Sequence, residues 1–111
     1  MEQFKTDIIY TKGKFIKFIK KLNEYNKINN SIITDNMKEH LNILIQLWRN
    51  VKDNNYNNID YYFNMKDHHS HINGRIKNEI LKEYWNDYLN SGLKFRLKLI
   101  EYQHTHTINN N

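Results

Sequence analysis

The chain has no cysteine and no proline, and only 3 of its 111 residues are glycine. Without cysteine there is no disulfide framework, no thiolate nucleophile and no Cys-type zinc site. Three glycines cannot build a Gly-rich phosphate loop, and no stretch rich in Pro, Gly or Ser divides the chain into domains. The longest apolar runs are Ile8-Ile9-Tyr10 and Ile43-Leu44-Ile45, far short of the ~20 residues a membrane-spanning helix needs. Met1 to Asp7 shows no basic stretch followed by an apolar block, so the expectation is an intracellular protein that is not secreted. Ser31, Ser70 and Ser91 lie in no Gly-x-Ser-x-Gly turn. A non-enzymatic protein without a cofactor is therefore expected.

Asparagine and lysine dominate what is present. The chain holds 19 Asn and 14 Lys against 3 Arg, lacks alanine, and has Val51 as its one valine. Asn, Lys, Ile and Tyr have AT-rich codons, so a biased genome can supply much of this pattern. The formal net charge of +5 is correspondingly weak evidence for an anionic partner. The low arginine content points the same way, because planar, bidentate recognition of phosphate favours Arg.

Periodicity carries the fold. Phe4, Ile8, Phe15, Phe18, Ile19, Leu22 and Tyr25 fall on one arc of a helical wheel, predicting a helix over 14–25 that extends back to Phe4. Asn26 to Ile33 reads as a connector, and Thr34 or Asp35 as the cap of a second helix. Met37, Leu41, Leu44, Trp48 and Val51 give that helix the clearest stripe in the chain, ending at Asn54-Asn55. Ile59, Tyr62, Phe63 and Met65 predict a short third helix, and Asp67 to Gly74 a polar loop. Ile76, Ile80, Leu81, Tyr84, Trp85 and Tyr88 form another helical face, which Asn90-Ser91-Gly92 should terminate. Leu93, Phe95, Leu97 and Leu99 alternate with cations, the period of a half-buried strand through Tyr102, with helix as the alternative. The expected fold is mainly α: one domain over 1–103, a bundle of three to four helices around Phe15, Ile19, Leu22, Leu41, Leu44, Trp48, Ile76, Leu81 and Tyr84, with a short C-terminal strand, α+β being the alternative. Residues 104–111 read as a frayed polar tail.

Three groups of residues carry the candidate chemistry. Aromatic side chains number 15, and a small bundle cannot bury them all. Tyr61, Tyr62, Phe63 and Tyr88 are the candidate contacts for a protein partner or a second copy of the chain. Lys14, Lys17 and Lys21 form a ridge beside the apolar arc of the first helix, and an extended C-terminal segment would align Lys94, Arg96 and Lys98, so nucleic acid is the alternative partner. Asp67, His69 and His71 could converge on a metal from an extended loop. The leading expectation is a small subunit or adaptor that docks on a larger protein assembly.

Overall fold

Apolar side chains spaced three and four apart organise the described residues into four helices. The computed structural model describes residues 4–56 and 59–109, apart from the side chains of 59 and 106–109. Its elements are α1 (Lys5–Ile28), α2 (Asp35–Asp53), α3 (Ile59–Asn73) and α4 (Glu79–Asn109), and no strand occurs among the described residues. Asn57 and Asn58, read from the sequence as leading into the third helix, lie outside the described residues.

The helix ends follow side-chain chemistry. Thr34 Oγ1 accepts the backbone N–H of Met37 at 3.3 Å and caps α2, filling one donor position that the first turn leaves open. Asn78 Oδ1 does the same for α4, accepting from Ile80 N and Leu81 N at 2.9 and 3.1 Å. Past the end of α2, Asn55 and Tyr56 take positive φ of 53° and 61°, and Tyr56 N donates to Val51 O at 2.8 Å. This reversal satisfies a carbonyl that the helix end would otherwise strand.

α1 packs mainly against α4, and α2 mainly against α3. Within the first pair the chain directions oppose: Phe4 meets Phe95 and Tyr102 edge-on, Asp7 pairs with Lys98 at 3.1 Å, and Phe18 meets Trp85 with ring centroids 5.0 Å apart. α2 and α3 are likewise antiparallel, with His40 beside His68 and Trp48 edge-on to Tyr62. The two pairs join through aromatic side chains, Phe15 contacting both Trp48 and Tyr88. At 1.5 Å per residue the 31 residues of α4 span about 46 Å, which accounts for most of the 54 Å long axis of the molecule.

The mainly α reading stands, and three local expectations are corrected. The segment 67–73, expected as loop, completes α3, because Tyr62, Met65, His69 and Ile72 are all buried and step by three and four. Asn90-Ser91-Gly92 does not stop a helix: α4 runs through it to Asn109, so the residues read as a frayed tail from 104 on are helical as far as 109. The segment 93–102 is helix rather than strand. Phe95 and Leu99 are buried while Leu93 and Leu97 are 51% and 60% exposed, which is helical sidedness and not the two faces of a strand. Of the expected core, Phe15, Leu22, Leu41, Leu44, Trp48, Ile76 and Leu81 are buried, and Ile19 and Tyr84 pack half-buried against them.

A polar chain crosses this apolar interior. The indole of Trp48 donates to the Tyr88 hydroxyl at 3.1 Å, and that hydroxyl lies 2.5 Å from His69 Nε2. Indole N–H is donor only, so Tyr88 accepts from Trp48 and gives its own proton to His69 Nε2. The His69 proton then resides on Nδ1, which has no protein partner. The opposite tautomer would leave two groups unsatisfied, the Tyr88 proton and the bare Nδ1. Burial, with smaller contributions from Arg96 and His68, pushes His69 down to about 3, and burial pushes the Tyr88 phenol up.

Candidate functional site

α1 and α2 belong to different helix pairs, and an open groove of about 590 Å³ lies between them. α1 supplies Lys12, Phe15, Ile16, Ile19 and Lys20, and α2 supplies Ile45, Trp48, Arg49, Lys52 and Asp53. On each helix these positions recur at three- and four-residue steps, so one face of each contributes an apolar floor with polar ends. Phe15 and Trp48 form the deepest part, stacked with centroids 6.3 Å apart, while Ile16 remains 41% exposed.

The rim of the groove is cationic. It carries Lys12, Lys20, Arg49 and Lys52 against the single acid Asp53. Lys12 sits below the ordinary lysine range, first because it is partly desolvated and then because Lys52 is near, with Asp53 opposing both. Among the described residues, ion pairs join Lys21 to Glu24, Lys82 to Glu79 and Lys98 to Asp7, and none of them draws on this rim.

The lysines of the sequence-read ridge lie along α1. Lys14, Lys17, Lys20 and Lys21 line one hollow, but Glu24, Glu83, Tyr84 and Asp87 complete its wall. Lys21 is held at 3.1 Å by Glu24 and its ammonium lies 5.6 Å from the centre of the Tyr84 ring; Lys14 lies 5.3 Å from that of Tyr10. Positive and negative groups are therefore interleaved. Because α4 is helical, Lys94 and Lys98 share a face while Arg96 lies roughly 200° round from each. Arg96 lines a small hollow of about 20 Å³ with Thr11, His69 and Tyr88. The single row of cations expected from a strand is corrected on that ground.

The aromatic docking residues are placed differently from the sequence expectation. Tyr62 and Tyr88 are 2% and 1% exposed and belong to the core; Tyr61 and Phe63 are half-buried against it. Tyr61, Tyr62 and Phe63 could not be separated from exposed aromatics while α3 was read as a short helix.

Helical geometry also separates the expected metal ligands. Asp67 and His71 are one turn apart on the outside of α3, whereas His69 points inward, edge-on to Trp85 and Tyr88. Among the described residues no group of three or more His, Asp or Glu side chains is placed to hold a metal ion. A different histidine set does come together. His40 of α2 brings its Nδ1 to 3.0 Å from His68 Nδ1, and its ring stacks on His71 with centroids 4.1 Å apart and planes 4° from parallel. His40 lies below the ordinary histidine range through desolvation first, then through His71, His68 and Arg75, with Glu39 opposing. The sequence signal for this cluster was a histidine near the start of one helix facing the end of an antiparallel neighbour. It becomes visible only when α3 is extended to Asn73.

No protein-family model, no curated protein and no solved structure matches the chain.

Proposed function

We propose that the protein is a small non-enzymatic docking subunit, and that the α1/α2 groove receives an amphipathic helix with acidic flanks from a larger protein partner. The observation that carries this reading is the pairing of an apolar floor with a rim of four cations and one acid. An amphipathic helix buries its apolar face in such a groove, and its acidic flanks would meet Lys12, Lys20, Arg49 and Lys52. Apolar burial contributes about 25 cal/mol per Å² before association costs, and the charged rim sets orientation and encounter rate. The nucleic-acid alternative is weaker. The lysine ridge shares its hollow with Glu24, Glu83 and Asp87, which would repel a phosphate backbone. No helix of the described residues is long and apolar enough to cross a membrane.

The test is titration with a synthetic 18-residue helical peptide carrying leucine at i, i+3, i+4 and i+7 and glutamate on both flanks. Saturable binding is expected, weakened about tenfold by Lys52→Glu and by Ile16→Glu, and only partly reduced by salt. Equal binding by the wild type and both variants would overturn the reading. So would tighter, log-linearly salt-dependent binding of a single-stranded oligonucleotide.

A further inference from the structure

We infer that the hollow beside Thr11 binds one water molecule, which bridges Thr11 of α1 to His69 of α3 and completes a polar network with one residue on each of the four helices. Two observations meet there. Among the described residues, Thr11 Oγ1 and His69 Nδ1 are the buried side-chain polar atoms without a protein partner, and both residues line the same hollow of about 20 Å³. Buried polar atoms in folded proteins are nearly always paired, with protein or with ordered water.

The hydrogen-bonding capacity decides what the hollow accepts. Tyr88 accepts the Trp48 indole proton and gives its own to His69 Nε2, so His69 Nδ1 carries hydrogen and can only donate. Thr11 Oγ1 can donate or accept. A Cβ at position 92 would stand 3.5 Å from Thr11 Cγ2, so α4 meets the methyl of Thr11 at that point rather than its hydroxyl. The bridging group must take a proton from nitrogen and exchange one with a hydroxyl, and water does both.

Size and surroundings agree. One water needs roughly 10–15 Å³ of such space, so 20 Å³ holds one and excludes a polyatomic ligand. A monatomic anion could accept from the same donors, and Arg96, half-exposed, also lines the hollow. It would have to shed its hydration among the rings of Trp48, Tyr62 and Phe95, a cost that neutral water avoids. The completed chain runs from Trp48 on α2 through Tyr88 on α4 and His69 on α3 to the water and Thr11 on α1. Sliding any helix by one turn would strand a buried member of it, so the network fixes the register of the bundle.

Thr11→Val replaces the hydroxyl by a methyl of the same shape. It should lower the melting temperature by about 4 °C, and by clearly less in the His69→Phe background, where the bridge is already lost. Oxygen-17 relaxation dispersion on the full chain should count one more long-lived water in the wild type than in Thr11→Val/His69→Phe, with circular dichroism confirming that the double variant remains helical. Replacing chloride by gluconate at constant ionic strength should leave the wild-type melting temperature unchanged. An unchanged or higher melting temperature in Thr11→Val would mean a dry hollow that a methyl fills equally well, and would overturn the inference. Equal water counts or additive effects of the two substitutions would do the same, and a chloride-specific rise would give the hollow to an anion instead.

Discussion

The Tyr88 hydroxyl lies 2.5 Å from His69 Nε2 in the middle of the apolar core, where Tyr88 is 1% exposed. The pair holds a neutral histidine at a position that a leucine would ordinarily fill. That neutrality makes stability depend on pH.

His69 has its folded-state value lowered from 6.5 to about 3. Above 6.5 it is neutral both folded and unfolded, and its contribution is fully present. Below that, the unfolded chain takes up a proton that the folded chain refuses, so stability falls as pH drops and continues to fall until about pH 3. At pH 5 the loss is about 2 kcal/mol. Urea unfolding at pH 7.5 and pH 5 measures it. His69→Phe should flatten most of the difference, leaving the smaller effect of His40, which has the same sign.

Removal of the hydroxyl alone is a separate prediction. Tyr88→Phe leaves the Trp48 indole N–H and His69 Nε2 without their shared partner, at a cost of about 1–3 kcal/mol. Chemical denaturation at neutral pH reads it, and unchanged stability would mean that the three groups are not linked as described.

Gly13 lies within α1, and a Cβ added there would meet nothing within 4 Å. Gly13→Ala should therefore stabilise the protein by about 1 kcal/mol, through helix propensity and a less flexible unfolded chain. A melting temperature higher by about 4 °C is the expected readout.

Two neighbouring leucines separate helix from strand in the C-terminal segment. Leu97 is 60% exposed and Leu99 is fully buried. Leu97→Gln should change stability by less than about 0.5 kcal/mol, and Leu99→Ala should cost about 2–5 kcal/mol. Equal effects at both positions would place the two side chains on one face and contradict α4 as described.

How far the fold was legible depended on which residue filled each apolar slot. α2 was readable because all five of its stripe positions, Met37, Leu41, Leu44, Trp48 and Val51, carry apolar side chains and all five are buried. α3 has a comparable stripe in Tyr62, Met65, His69 and Ile72, but a histidine in one slot and polar neighbours on either side gave it the look of a loop. Gly92 looked like a helix terminus; it lies beside α1, where a Cβ would stand 3.5 Å from Thr11 Cγ2. The alternation of Leu93, Phe95, Leu97 and Leu99 is period two in the sequence only because two of those side chains face solvent. The lysine ridge was legible because it lies on one helix. The groove and the His40–His68 pair were not, because each needs the relative placement of two helices that no local pattern encodes.

The seam between the first and last helices has a consequence for biosynthesis. Phe4, Phe15 and Phe18 each meet rings of α4, with Asp7 and Lys98 meeting across 91 positions of chain. During synthesis α4 must emerge before its rings can shield Phe4 and Phe18. Until then the nascent segment presents a sticky, unsheltered helix, the kind of surface that holdase chaperones recognise and that invites aggregation.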